Sequence, residues 1–214
     1  MPSPPRSATG NADWRPQSND RFFLVGPTRK GKTVRARLLA SWWRDVPGLL
    51  VLWLDPKLAE GLRDIPQLEL GAIPAAEGEW RIVLPAADYA AEPVCEAVWR
   101  RGNTLLVVDE LPLVATERKI GRWFRACYQQ GAELGIGVVA LTQDPVSVPR
   151  VCRTQAEHFL VWPIRAPDYV ALMAESAHQD PAELGRLLAG LAPYECVLCS
   201  DRLPAMQVLP ADLG

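Results

Sequence analysis

The chain contains six largely apolar runs, which predict the strands of a buried sheet. Most of them carry apolar residues at consecutive positions rather than at alternate ones. Continuous apolar runs are typical of parallel strands that are covered by helices on both faces. The predicted strands are residues 21–25, 49–54, 80–84, 104–110, 135–141 and 157–162.

Helical patterns lie between these runs, so the chain alternates between strand and helix as α/β proteins do. After the first strand, Val34, Leu38 and Trp42 recur every four residues, which predicts a helix with these side chains facing the core. Asp180-Pro181 gives a further helix a typical start, an N-cap followed by proline. That helix covers residues 180–190, and the other predicted helices are residues 88–101, 117–133 and 167–177.

The two ends of the chain differ from this alternation. Residues 1–20 contain several prolines and few apolar groups, which predicts a flexible arm ahead of a single domain at residues 21–214. At the other end, residues 194–199 and 205–209 flank a polar turn and predict a C-terminal β-hairpin.

Composition and charge narrow the class of protein. The chain has 214 residues, of which 49% are hydrophobic, and this suits one α/β domain with an ordinary core. The formal net charge of −2 excludes a globally basic nucleic-acid binder, so contact with DNA would need a local patch or a ring of subunits. No apolar run reaches about eighteen residues, so no transmembrane helix is expected.

The five cysteines indicate reduced thiols with structural roles. They are odd in number and scattered, which argues against a disulfide framework. Cys196 and Cys199 form a C-x-x-C within an apolar run, but neither a second pair nor a nearby histidine completes a zinc site.

One stretch between the first strand and the first helix matches G-x-x-x-x-G-K-[ST], the phosphate-binding P-loop. Its residues are Gly26, Pro27, Thr28, Arg29, Lys30, Gly31, Lys32 and Thr33. The glycines allow backbone conformations that a Cβ would block, and the backbone N–H groups and helix dipole then attract anions. Lys32 is expected to reach the β- and γ-phosphates of a nucleotide, and the Thr33 hydroxyl is expected to ligate Mg²⁺. The alternative is a glycine-rich turn that binds nothing.

The fourth predicted strand ends in two adjacent carboxylates, Asp109 and Glu110. An apolar run before an Asp-Glu pair matches a Walker B motif, in which Asp109 would hold Mg²⁺ through water and Glu110 would polarise the attacking water as the catalytic base. The alternative is a strand that merely ends in two acidic residues. Many P-loop proteins lack the second carboxylate, so Glu110 favours hydrolysis over a nucleotide-dependent switch.

Two other strands also end in polar residues, and ligands of parallel sheets bind at the carboxyl ends of strands. Thr142-Gln143 follows the fifth predicted strand, which in P-loop ATPases with a catalytic glutamate lies between the P-loop strand and the Walker B strand. Gln143 is therefore a candidate sensor of the γ-phosphate. Asp55-Pro56-Lys57 follows the second strand, where a contact with the site and a plain turn fit the spacing equally well.

The helix predicted at residues 117–133 begins with basic residues interleaved with Trp123 and Phe124. These basic residues would line a DNA pore or supply an arginine finger to a neighbouring subunit. The alternative is a solvated basic face with both aromatic side chains packed inward. The basic residues are Arg118, Lys119, Arg122 and Arg125.

Four motifs in a fixed order make the chain similar to the FtsK–HerA superfamily of ring-forming, DNA-pumping ATPases. They are Gly26–Thr33, Leu54-Asp55-Pro56-Lys57, Val107-Val108-Asp109-Glu110 and Leu141-Thr142-Gln143-Asp144-Pro145. The resemblance spans residues 21–165. It implies a RecA-like P-loop NTPase fold with an additional strand and a catalytic glutamate, and it implies ATP and Mg²⁺ as ligands. It also implies a homo-oligomeric ring, a hexamer or pentamer, that translocates double-stranded DNA.

Within that superfamily, a bare motor of this length resembles the genome-packaging ATPases of icosahedral viruses with an internal membrane. That resemblance implies partners at a capsid vertex or among virion membrane proteins, and a location in the host cytoplasm or at the virion vertex. Members often carry Gly-Arg before the sensor strand, where this chain has Gly131-Ala132. The arginine finger is therefore assigned to Arg125, with Arg122, Arg150 and Arg153 as alternatives.

Three other functions compete with genome packaging. A related DNA-pumping ATPase of a cell would carry the same motifs. A small-molecule P-loop kinase needs an arginine-rich lid, and the sequence shows no clear lid. A nucleotide-dependent assembly factor of the filamentous-phage type would normally carry a transmembrane segment.

Overall fold

The computed structural model describes Trp14, residues 16–164 and residues 166–211. These described residues form one eight-stranded sheet with helices on both faces. Its strands are β1 Arg21–Val25, β2 Leu50–Asp55, β3 Gly78–Val83, β4 Thr104–Val108, β5 Ile136–Thr142, β6 His158–Val161, β7 Cys196–Ser200 and β8 Gln207–Leu209. All six strands predicted from the apolar runs are present, with boundaries shifted by at most a few residues.

The sheet is mainly parallel, as the continuous apolar runs predict. The strand order is β3-β2-β4-β5-β1-β6-β7-β8, and the six strands from β3 to β6 in that order run parallel. β5 lies between β1 and β4, which confirms the expected position of the sensor strand. β7 and β8 pair antiparallel at one edge, so the predicted C-terminal hairpin is also present.

The helices divide into two layers over the sheet. They are α1 Lys32–Ser41, α2 Glu92–Arg101, α3 Leu111–Val114, α4 Arg122–Gln130, α5 Arg150–Thr154, α6 Pro167–Ser176 and α7 Pro181–Ala189. One layer buries apolar side chains of α2, α4, α6 and α7 against the sheet, and α1 packs on the opposite face. Asp180 caps α7 as predicted, because its side chain accepts a hydrogen bond from the backbone N–H of Glu183.

The predicted core face of α1 is wrong. Val34 is 68% exposed, and the helix instead buries Arg35, Ala36, Leu39 and Ala40. The buried Ala36, Leu39 and Ala40 are apolar at positions i, i+3 and i+4, so an apolar stripe other than the predicted one faces the core.

Part of the predicted N-terminal arm is packed against the sheet. Trp14 is buried, and its indole Nε1 donates a hydrogen bond to His158 Nδ1. His158 Nε2 lies 2.9 Å from Asp20 Oδ2, and Arg202 of the β7–β8 turn also binds Asp20. This buried network joins both ends of the described chain to β6 and gives His158 a structural role. Residues 1–13 and 15 of the predicted arm lie outside the described residues.

All five cysteines are buried and free of disulfides. Cys196 and Cys199 are three positions apart on β7, so their side chains lie on opposite faces of the sheet. Each belongs to a different core cluster. The structural role predicted for the C-x-x-C is therefore confirmed, because the two thiols cannot share a metal ion.

Candidate active site

The P-loop lies between β1 and α1 at the carboxyl edge of the sheet, and close packing fixes its shape. The backbone N–H of Gly26 donates to the carbonyl of Thr142 at the end of β5. A Cβ placed on Gly26 would lie 2.5 Å from Trp162 Cβ, so only glycine fits there. Gly31 has a φ of 97°, which a side chain would strain. Both P-loop glycines are thus required, one by packing and one by backbone conformation.

Lys32 folds over the P-loop. Its Nζ donates to the carbonyl oxygens of Gly26 and Pro27 at 2.6 and 2.8 Å. An ammonium group has three protons, so one is left for a bound anion. The pKa of Lys32 is lowered from 10.5 to about 8, mainly by burial and in part by the charge of Lys57, while Glu110 and Asp109 oppose the shift. A bound phosphate would reverse this shift because it stabilises the charged amine.

Asp109 and Glu110 follow β4 at the same edge of the sheet. The N–H of Asp109 donates to the carbonyl of Leu54, which extends the strand ladder by one residue and keeps Asp109 buried. Burial raises the pKa of Asp109, and the charges of Glu110 and Asp55 add to this effect while Lys57 opposes it. Glu110 adopts a left-handed conformation with φ 76°. This strained turn directs the chain into α3 immediately after the carboxylate pair.

Gln143 connects the carboxylate pair to the P-loop. Its Nε2 donates to Glu110 Oε2 at 2.6 Å, and its Oε1 accepts a hydrogen bond from the Thr28 hydroxyl. The amide thus spans from the Walker B strand to the variable part of the P-loop. Gln143 therefore lies in contact with both the carboxylate pair and the P-loop.

The sequence left open whether Asp55-Pro56-Lys57 contacts the site or forms a plain turn, and the structure shows that its residues differ in this respect. Asp55 is fully buried and accepts hydrogen bonds from the N–H of Ala59 and from Arg81 Nη1, so it stabilises the strand end. Lys57 instead enters the site, where its Nζ lies 3.4 Å from Glu110 Oε2 and 3.6 Å from Asp109 Oδ2. The sequence signals for this contact were the position after a strand and the Leu54-Asp55-Pro56-Lys57 motif.

The donors at this edge fit a Mg²⁺ ion that is shared with a nucleotide. Asp109 Oδ2 is buried and, besides the ion pair with Lys57, has no hydrogen-bond partner among the described residues, so it can accept a metal ion. Thr33 lies in the first turn of α1 and is half-buried. No cluster of three or more His, Cys, Asp or Glu in the described ranges could hold a metal. A site with one carboxylate and one hydroxyl suits Mg²⁺, which takes its other ligands from water and substrate phosphates.

The candidate arginine fingers are not equivalent. Arg153 is half-buried, and its Nη1 donates to the carbonyls of Pro145 and Val148, so it stabilises its own loop. Arg122 is exposed and lies over the Trp123 ring at 4.9 Å. Arg125 and Arg150 are exposed and line one surface cavity of about 250 Å³. These three exposed arginines are available to a neighbouring molecule.

Fold and site geometry together define a RecA-like P-loop NTPase. The defining features are the P-loop after β1, the carboxylate pair after β4, and the glutamine after the strand that lies between them. In the part of the chain that the structure describes, none of the helices has the length and apolar character that a membrane crossing requires.

Solved structures share this fold. The genome packaging NTPase B204 from Sulfolobus turreted icosahedral virus 2, in complex with AMPPCP, aligns with a TM-score of 0.78 at 15% identity, covering 92% of this chain and 100% of that chain. VirB4 of Thermoanaerobacter pseudethanolicus aligns with a TM-score of 0.59 at 11% identity, covering 94% of this chain and 90% of that chain. ATPases 2 and 3 of Thermomonospora curvata EccC align with a TM-score of 0.60 at 16% identity, covering 89% of this chain and 37% of that chain.

Sequence comparison adds nothing to this result, since no protein-family model and no curated protein matches the chain. At such low identities the structural similarities establish the fold alone. That fold is the RecA-like P-loop fold expected from the sequence, so the predicted fold class is confirmed.

Proposed function

We propose that this protein is a Mg²⁺-dependent ATPase that moves double-stranded DNA, most similar in task to viral genome packaging. The observation that carries the ATPase assignment is the contact of Gln143 with both Glu110 and Thr28 beside Lys32. Through the Gln143 amide, the P-loop is connected to Glu110, the candidate catalytic base. A simple nucleotide-binding switch needs the loop but not the base.

In the proposed reaction, the P-loop amides and Lys32 bind the β- and γ-phosphates of ATP. Glu110 accepts a proton from the water that attacks the γ-phosphate, and Gln143 orients that water or the phosphate itself. Thr33 and Asp109 would hold Mg²⁺, which neutralises phosphate charge when it is bound. Lys57 keeps the two carboxylates from repelling each other before the ligand arrives.

The coupling to DNA is the less direct part of the proposal. It is supported by the FtsK–HerA motifs and by the fold shared with the B204 packaging NTPase over nearly the whole of both chains. A ring, hexameric or pentameric, would place an exposed arginine of one subunit at the ATP of the next. Arg125 is the first choice for this finger, and Arg122 and Arg150 are the alternatives. Docking of the ring at a capsid vertex in the host cytoplasm completes the hypothesis.

ATP hydrolysis by the purified chain tests this proposal, measured with and without duplex DNA beside the Glu110→Gln variant. We expect turnover that duplex DNA increases and that Glu110→Gln lowers by roughly a hundredfold or more. A hydrolysis rate that duplex DNA does not change would contradict the translocase assignment, but the ATPase assignment would stand. Nucleotide binding without hydrolysis would contradict both and favour an assembly factor.

A further inference from the structure

Three polar side chains form a chain of hydrogen bonds from the P-loop to the candidate base. The Thr28 hydroxyl donates to Gln143 Oε1, and Gln143 Nε2 donates to Glu110 Oε2 at 2.6 Å. An ionised carboxylate only accepts hydrogen bonds, so the amide nitrogen of Gln143 must face Glu110. The amide oxygen then faces Thr28, whose hydroxyl must be the donor. Donation therefore runs in one consistent direction, from Thr28 through Gln143 to Glu110.

The backbone at both ends of the Thr28–Gln143 contact is held in place. The N–H of Gly26 donates to the carbonyl of Thr142 at 3.2 Å, which ties the P-loop to the end of β5. The Thr142 hydroxyl accepts a hydrogen bond from the N–H of Asp144 and donates to its carbonyl, so the backbone on each side of Gln143 is also fixed. The torsions of the exposed Gln143 side chain are the freedom that remains, and the Thr28 hydroxyl restrains them.

The contacts of Glu110 leave one of its oxygens open. Gln143 and Lys57 both bind Oε2, with Lys57 Nζ at a distance of 3.4 Å. Within the part of the chain that the structure describes, Oε1 accepts no hydrogen bond. A carboxylate that is held through one oxygen presents the other in a fixed direction, and a general base must be oriented in this way to take a proton from water.

We propose that Thr28 is a positioning residue for hydrolysis, whose hydroxyl holds the Gln143 amide so that the amide holds Glu110 with Oε1 open to the attacking water. This inference rests on the proposed ATPase function. It gives a role to a side chain at a position that the P-loop motif leaves variable. Phosphate binding by the loop uses backbone N–H groups, so it does not require the Thr28 hydroxyl.

Thr28→Val tests the proposal because it removes the hydroxyl while keeping the branched shape and the backbone N–H. We expect kcat for ATP hydrolysis, measured with duplex DNA, to fall about threefold to tenfold, the scale of one neutral hydrogen bond. KM and Mg²⁺–ADP affinity should keep their wild-type values, because Thr28 acts through Gln143 rather than on the nucleotide. Thr28→Ser restores a hydroxyl and should recover most of the lost rate.

A double-mutant cycle shows whether the effect passes through Gln143. In the Gln143→Leu background the Thr28 hydroxyl has no amide to hold, so adding Thr28→Val should cause no further loss of kcat. Thr154→Val is the matched control, since Thr154 is an exposed threonine at the end of α5 and outside the site. This control should leave kcat unchanged in both backgrounds, and thermal unfolding checks that every variant remains folded.

A measurement on the nucleotide-free protein tests the same contact without turnover. The side-chain amide signal of Gln143 in an NMR spectrum is assigned by its loss in Gln143→Leu. We expect Thr28→Val to move this signal toward that of a solvated glutamine amide, and Thr154→Val to leave it in place.

Three results would overturn the positioning role alone. In the first, Thr28→Val has wild-type kcat and an unchanged Gln143 amide signal. In the second, it loses kcat and ADP affinity to the same extent, which would place the hydroxyl on the nucleotide. In the third, the losses of the two single variants multiply in the double variant. A wild-type protein that does not hydrolyse ATP would instead overturn the proposed ATPase function together with this role.

Discussion

Gln143 Nε2 donates a 2.6 Å hydrogen bond to Glu110 Oε2, so the candidate sensor and the candidate base are in direct contact. The two residues follow neighbouring parallel strands, β5 and β4, whose carboxyl ends meet at one edge. The same carboxylate oxygen is 3.4 Å from Lys57 Nζ. Glu110 is therefore held by two partners, and a γ-phosphate that attracts either of them would change its environment.

Gln143→Leu removes both hydrogen bonds of the amide while keeping similar volume. We expect kcat for ATP hydrolysis to fall roughly tenfold to a hundredfold, because Glu110 and its water lose their orientation. Mg²⁺–ADP affinity should stay the same, since Gln143 is not part of the loop. Gln67→Leu, at an exposed position outside the site, is the control. Equal losses of kcat and ADP affinity would contradict a sensor role.

Lys57→Met tests the cation that lies between the carboxylates. Without it, Asp109 and Glu110 repel each other, so we expect kcat to fall roughly tenfold with little change in KM. Lys57→Arg keeps the positive charge and should recover part of the rate. Wild-type kinetics in Lys57→Met would show that the ion pair has no role in the reaction.

Asp109→Asn should stabilise the fold while it impairs Mg²⁺-dependent turnover. Burial raises the pKa of Asp109, so its ionised form costs stability in the folded state. That cost is present at neutral pH and disappears as the pH falls through the raised pKa. We expect denaturant unfolding at about pH 7 to show a gain on the order of 1 kcal/mol, which shrinks on acidification.

The exposed Asp45 supplies the control for this stability measurement, because Asp45→Asn should change little at either pH. If Asp109→Asn is instead less stable at neutral pH, the ion pair with Lys57 outweighs the burial cost.

Proton uptake on nucleotide binding measures the protonation state of Lys32. Its pKa of about 8 means that much of the amine is neutral above that pH, whereas a bound phosphate requires the charged form. Binding of Mg²⁺–ADP at about pH 9 should therefore take up close to one proton, and affinity should fall as the pH rises above about 8. Calorimetry in two buffers of different ionisation enthalpy measures this, and binding without proton uptake at that pH would contradict the shift.

Gly137→Ala should destabilise the whole sheet. A Cβ there would lie 2.1 Å from the carbonyl oxygen of Ser18 and 2.9 Å from that of Asp20, both of them backbone atoms. We expect a loss of roughly 2–4 kcal/mol in the free energy of unfolding, measured with urea. Gly71→Ala is the matched control, since no atom lies within 4 Å of its added Cβ. Equal stability of the two variants would contradict the close packing of residues 18–20 on β5.

Sequence patterns were sufficient to predict the sheet and the positions of the motifs, because both depend on the order of residues over short stretches of the chain. A continuous apolar run specifies a buried parallel strand, and the carboxyl ends of such strands meet at one edge, which brought Lys32, Asp109 and Gln143 together. The rotation of α1 was predicted wrongly because this helix carries two competing apolar stripes, and the one with Ala36, Leu39 and Ala40 faces the core. The position of Tyr194 beside Gly31 could not be predicted, because no local pattern links residues so distant in the chain.

The burial of all five cysteines has a practical consequence for watching this protein at work. Burial raises the pKa of Cys152, Cys196 and Cys199 to about 12, so these thiols have almost no reactive thiolate at neutral pH. A single cysteine introduced on the surface would therefore accept a maleimide fluorophore against a silent native background. Energy transfer between two labelled copies, or between a labelled copy and labelled DNA, would then test the proposed assembly and DNA movement without removing any native residue.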